Sequence, residues 1–323
     1  MRINEDLKMK RLNLHARIVV PPMATQSTEE GIPKETTLSH YENFARNPLV
    51  GLIITEHSFI DRQGKADPCQ MSFADDAVIP YQAKLVEAVH TTNPDVKIFA
   101  QLNHAGFNTS PRITGQPLVS ASAVRAQGDG SRELSIPEIH RLEEEFAAAA
   151  MRVKKAGYDG VEIHSAHGYL LNQFYSPLSN FRADEYGSQN MENRLRFLTE
   201  TVRKIRASVG DDFPVAVRFG GCDYMDGGSS IHDAAEAAAL LEKEDIDILD
   251  LSGGFNGFTR GEMSEPGWFS DMSYAVKQNT VVPVILTGGV RTPAQAEELL
   301  EEGKADLIGI GRPMMRNPAW GLN

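Results

Sequence analysis

Apolar and polar positions along the chain fall into a repeating order: a short apolar run, a polar loop, then a stretch with apolar residues at helical spacing. Eight apolar runs read as strands, at residues 17–20, 51–55, 97–102, 158–164, 214–219, 247–251, 283–287 and 305–310. Near-continuous apolar character suits parallel strands covered on both faces. The segments between them are predicted as amphipathic helices. The clearest spans 136–156, where Ser135 stands ready to cap and Ile139, Leu142, Phe146, Ala150 and Val153 make one stripe. Others span 77–91, 191–209, 231–244 and 293–302, the last opening on Pro293 and closing just before Gly303.

Eight strand-then-helix units predict an α/β fold with a parallel sheet closed on itself, a (β/α)8 TIM barrel. A doubly wound open sheet is the alternative, but no G-x-G-x-x-G opens a helix after an early strand. Residues 7–14 alternate basic and apolar (L-K-M-K-R-L-N-L), which predicts a short N-terminal hairpin plugging one barrel end. Pro21 and Pro22 stop the first strand. The long loop after the third strand, 103–135, has no periodicity, and such insertions border active sites. With no linker and no repeat beyond the strand–helix unit, one domain over 1–323 is expected.

Charge narrows the function. The 323 residues carry a net charge of -12 with basic residues scattered, a poor match for nucleic acid or an anionic membrane. No apolar run approaches the ~20 residues of a membrane span, and Met1 leads into charged residues, so a cytoplasmic protein is expected. Cys69 and Cys222 are too few for a disulfide framework or an iron–sulfur cluster.

A barrel gathers its chemistry at the C-terminal ends of its strands. Those ends supply Met23, Ala24 and Thr25; Glu56 and His57; Gln101, Asn103 and His104; His164, His167 and Tyr169; Arg218; Gly253 and Gly254; Gly288 and Gly289; Gly311 and Arg312. Glycine turns after the seventh and eighth strands, with the Arg312 cation, point to a phosphate. Gln101 offers a donor and an acceptor to a heterocycle edge, and Arg218 adds fixed positive charge. By strand alternation Glu162 lies on the face of His164, one layer deeper, where it needs a partner. His164 and His167 admit two plain readings, a metal half-site or a hydrogen-bonded structural pair. The first lacks the H-E-x-x-H glutamate and any cysteine or aspartate cluster.

The run H-S-A-H-G-Y-L-L-N-Q-F-Y-S-P from His164, with R-A-D-E-Y-G and E-N-R-L-R-F, resembles the signature of the old yellow enzyme family of FMN-dependent ene-reductases. R-I-V-V-P-P-M-A at Arg17, G-L-I-I-T-E at Gly51, Q-L-N-H-A-G at Gln101 and G-K-A-D-L-I-G-I-G-R-P at Gly303 extend the resemblance over nearly the whole chain.

The resemblance implies bound FMN, reduction by NADPH or NADH, and hydride transfer onward to small-molecule enones or related electron-poor alkenes in a ping-pong cycle. It places Pro22, Met23, Ala24 and Thr25 along the flavin, with His57 beside them. Gln101 would meet the pyrimidine edge, Arg218 the N1 and O2 side, and Gly288, Gly289, Gly311 and Arg312 the phosphate. His164 and His167 would hold the substrate carbonyl, Tyr169 would donate the proton, and phenols would bind there as enolate mimics. This chain departs from the family at Thr25, where many bacterial members carry cysteine, at His57, where a small residue is usual, and at Phe107, where arginine is usual. Rival readings are a metal-dependent barrel hydrolase using the two histidines, an FMN-binding protein without turnover, and a flavin-dependent tRNA-modifying barrel, which needs a basic surface. The sequence leaves a homo-oligomer open.

Overall fold

A computed structural model describes residues 1–123, 130–261 and 263–322. Its parallel strands are β1 Ile18–Val20, β2 Val50–Ile54, β3 Lys97–Asn103, β4 Gly160–Ser165, β5 Val215–Cys222, β6 Ile248–Gly253, β7 Val284–Thr287 and β8 Leu307–Gly309. Neighbours pair in that order, and β3 pairs with β4 (Glu162 opposite Gln101) while β8 pairs with β1 (Ile308 opposite Ile18), so the barrel closes. After each strand comes an outer helix: α1 Glu35–Ala45, α2 Ile79–Thr92, α3 Ile136–Lys155, α4 Met191–Val209, α5 Ile231–Glu242, α6 Ser270–Lys277, α7 Pro293–Glu301 and α8 Arg312–Arg316.

The predicted TIM barrel is thus the fold, with small corrections. The last strand run shrinks from 305–310 to three residues, and α1, α6 and α8 join the helices singled out by periodicity. In α1 the buried positions are Thr37, Tyr41, Phe44 and Ala45, a stripe too polar to stand out. Two short strands, Ser58–Phe59 and Met71–Ser72, extend the sheet beyond β3, with Ser58 opposite Leu102.

Alternation along β4 and β5 sorts the side chains. Val161, Ile163, Val215 and Val217 belong to the core shared with the helices. The barrel interior holds Val19, Leu52, Ile54, Phe99, Ala216, Ile248, Ile285 and Leu307. Leu12 and Leu14 join that interior cluster from the N-terminal hairpin, where Leu7–Lys8 pairs antiparallel with Asn13–Leu14. The hairpin is the expected plug. Gly160 leaves room for Phe99, since a Cβ there would come within 2.4 Å of the ring. The loop after β3 carries a short helix, Pro111–Thr114, and a parallel pair, Val119–Ser120 with Arg132–Glu133, while 124–129 of the predicted loop lie outside the described residues.

Candidate active site

The strand ends enclose a cavity of about 680 Å³. Pro22, Met23, Ala24, His57, Gln101, His164, His167, Tyr169, Arg218, Gly288, Gly289, Gly311 and Arg312 all line it, as expected from the sequence. Thr25 does not. Its backbone N–H and hydroxyl donate to Glu56 at 2.8 and 2.6 Å, turning the side chain behind the wall. His104 also stays out: its Nδ1 accepts from Gly106 N–H at 3.1 Å, packed where Gly64 leaves space. Trp268, Ser252, Phe258, Arg291 and Arg316 line the cavity too, although periodicity gave no sign of them. Ser252 was the most legible, as it sits at the end of an apolar strand.

One wall is imidazole and phenol. The His164 and His167 rings lie 5.0 Å apart, and Tyr169 lies 4.9 Å from His164. Ala166 N–H donates to His164 Nδ1 at 3.2 Å, which leaves the His164 proton on Nε2. His167 Nε2 is bonded to Ser252 Oγ at 2.7 Å. His167 has a positive φ of 57°, uncommon for a non-glycine residue, and its backbone is held by Gly253 and Asn108. Tyr169 precedes the short helix Leu170–Tyr175, whose Gln173 and Asn172 side chains clamp the backbone of Gly168. Burial pushes both histidines well below the ordinary 6.5, so they are neutral at pH 7, and raises the Tyr169 phenol above 10. His57 stands on this same side, 5.3 Å from Tyr169 and 6.2 Å from His164.

Under the cavity floor, Gln101 Nε2 donates to Glu162 Oε2 at 2.6 Å, the partner the buried carboxyl required. Arg218 Nε lies 3.5 Å from Asp250 Oδ2. Burial raises Glu162 well above a normal carboxyl, and pushes Asp250 up to about 6.

The far end is cationic. Arg291, Arg312 and Arg316 line it, and no acidic residue lines the cavity among those described. Arg312 stacks over Trp268 at 4.9 Å. Gly289, at φ 72°, admits that packing, because a Cβ would come within 2.5 Å of Trp268 Nε1. Trp268 Nε1 and Thr287 Oγ1 are buried donors without a protein partner. A cationic pocket with spare donors suits an anionic group rich in acceptors.

The sequence profile of the NADH:flavin oxidoreductase / NADH oxidase family matches residues 3–322. The chain belongs to that family. It is 37% identical over 322 residues to an NADH oxidase of Thermoanaerobacter brockii, which covers 97% of this chain and 49% of the relative. It is 34% identical over 316 residues to an NADPH dehydrogenase of Halalkalibacterium halodurans, covering 97% and 90%. The chain therefore spans about half the length of the first relative. Among solved structures it resembles an old yellow enzyme homologue from Zymomonas mobilis, with TM-score 0.83 and 27% identity over 98% of this chain and 90% of that one. The old yellow enzyme resemblance thus holds.

The residues of this flavin oxidoreductase family member fit FMN as the cofactor. A volume of about 680 Å³ is in the range for such ligands. Arg312 with the unpartnered Trp268 and Thr287 donors would hold the phosphate, and Gln101 and Arg218 the polar edge of the ring. Among the described residues, the close trio of metal-ligand side chains is His140, Glu143 and Glu200 on α3 and α4, and it includes neither His164 nor His167. No helix among the described residues is long and apolar enough to cross a membrane.

Proposed function

We propose that this chain, as one FMN-binding barrel domain, reduces the activated C=C bond of α,β-unsaturated carbonyl compounds, with NADH or NADPH as reductant in a ping-pong cycle. The observation that carries the reading is the wall where two fixed neutral imidazoles, His164 and His167, meet the Tyr169 phenol over one cavity. FMN, when bound, supplies the hydride chemistry. The two imidazoles would donate to the substrate carbonyl oxygen, drawing electrons out of the alkene and stabilising the enolate charge as it forms, as an oxyanion hole does. They do so without becoming cations, because burial keeps them neutral. Tyr169 would give its proton to the α-carbon. NAD(P)H, a proton and the alkene then become NAD(P)+ and the saturated carbonyl compound.

Anaerobic titration tests the cycle. NADH or NADPH should bleach the flavin absorbance, and cyclohex-2-enone should restore it. A flavin that neither nucleotide bleaches makes this a binding protein without turnover. One that bleaches but stays reduced against a panel of enones removes the alkene chemistry alone.

A further inference from the structure

His57 follows β2 on the cavity wall, and the short strand Ser58–Phe59 beside β3 brings it next to Asn103. One oriented amide fixes its proton. Ala66 N–H donates to Gln70 Oε1 at 2.6 Å, so the Gln70 nitrogen is the atom facing His57 Nδ1 at 3.3 Å. Asn103 Nδ2 lies 3.0 Å from the same Nδ1. An amide nitrogen only donates, so Nδ1 accepts and the proton is on Nε2. Among the described residues Nε2 has no hydrogen-bond partner of its own. Burial pushes the imidazole down to about 4, with Asp67 opposing and Arg218 adding to it, so it is neutral at pH 7.

His57 is therefore a fixed N–H donor beside the cavity, as His164 is. Tyr169 stands between them, 5.3 Å from one ring and 4.9 Å from the other, and the two imidazole centres are 6.2 Å apart. Standard bond lengths put the two oxygens of a cyclic 1,4-enedione on the order of 5 Å apart. That span is comparable to the 6.2 Å between the two imidazole ring centres.

We propose that His57 determines specificity by donating its Nε2–H to a second oxygen acceptor on the substrate, across the alkene from the carbonyl held by His164 and His167. The assignment rests on the ene-reductase reading and narrows it to substrates with acceptors on both sides of the double bond. It also moves His57 from the cofactor, where the sequence put it, to the substrate.

The test uses the FMN-loaded enzyme, reduced anaerobically and then mixed with cyclohex-2-enone or cyclohex-2-ene-1,4-dione. The quantity read is the ratio of the two second-order reoxidation rate constants, in which the intrinsic reactivity of the compounds cancels between variants. In His57→Phe the dione-to-enone ratio should fall about 3- to 10-fold, the worth of one neutral hydrogen bond. His57→Gln, which keeps an N–H donor, should recover part of it. An unchanged ratio overturns the assignment, and so does loss of FMN from both variants, which would return His57 to the cofactor. If reduced wild-type enzyme is reoxidised by neither compound, the ene-reductase reading falls and takes this one with it. A wild type that reacts with both, with an unmoved ratio, removes His57 alone.

Discussion

The Thr25 hydroxyl donates to Glu56 Oε1 at 2.6 Å while the Thr25 backbone N–H reaches Oε2 of the same carboxyl at 2.8 Å. Tyr41 closes the arrangement from below by accepting Glu56 N–H at 2.8 Å. Glu56 thereby pins the chain that follows β1, the segment carrying Met23 and Ala24 into the cavity.

Burial pushes the Glu56 carboxyl up to about 6 from 4.5, against the pull of the Thr25 bonds. The folded protein holds this proton more tightly than the unfolded chain does. Its contribution is full below about pH 4.5 and is lost as pH rises through 6. At 1.36 kcal/mol per pKa unit the span is about 2 kcal/mol. Urea unfolding at pH 5 and pH 7.5 should show the wild-type protein losing about 1 kcal/mol more stability than Glu56→Gln over the interval, the part of that span lying above pH 5. Parallel pH slopes would mean that folding does not raise the pKa of this carboxyl.

Arg312 stacks on Trp268 at the cationic end, where no carboxylate lines the cavity among the described residues. A charge-assisted contact to phosphate is worth ~1.5 to 3 kcal/mol, about one to two decades in affinity. Arg312→Ala should therefore release FMN on dilution, read as free flavin fluorescence in an ultrafiltrate. Full retention would sink the phosphate assignment.

His164 and His167 are expected to bind a phenol as they would an enolate. Adding a phenol to the oxidised enzyme should raise a long-wavelength charge-transfer band. Alanine at both positions should abolish the band and leave the spectrum of bound flavin nearly intact. If the double variant loses flavin instead, the pair is structural.

Tyr169→Phe keeps the ring and removes the proton. Reduction of the flavin by nicotinamide should continue at a near-normal rate, while reoxidation by cyclohex-2-enone should slow about 10²- to 10⁴-fold, the usual worth of a positioned acid. A quinone, whose oxygens take protons from water, should react as before. Stopped-flow traces of the two halves decide it, and equal slowing of both, or of neither, removes Tyr169 from the acid role.

Much of this molecule was legible along the chain. Strand period separates Val161 and Ile163 from Glu162 and His164, and repetition of the strand–helix unit implies closure into a barrel. Closure then carries Gln101, Arg218 and Arg312 to one face, because parallel strands all end on the same side. The hairpin plug followed from its alternation alone.

What the tertiary structure decided lies just past the strand ends, where no period operates. Thr25 and His57 each follow a strand, yet one turns away to Glu56 and the other faces the cavity, because distant partners set their directions: Glu56 for the first, Gln70 and Asn103 for the second. Trp268 and Arg291 enter the site from loops between β6 and α6 and between β7 and α7, and nothing in their spacing announces it. The proton on His57 Nε2 depends on Ala66 N–H fixing the orientation of one glutamine amide. A sequence specifies the elements through local period and propensity, but loop side chains are aimed by hydrogen bonds made across the fold, and those exist only once the barrel has closed.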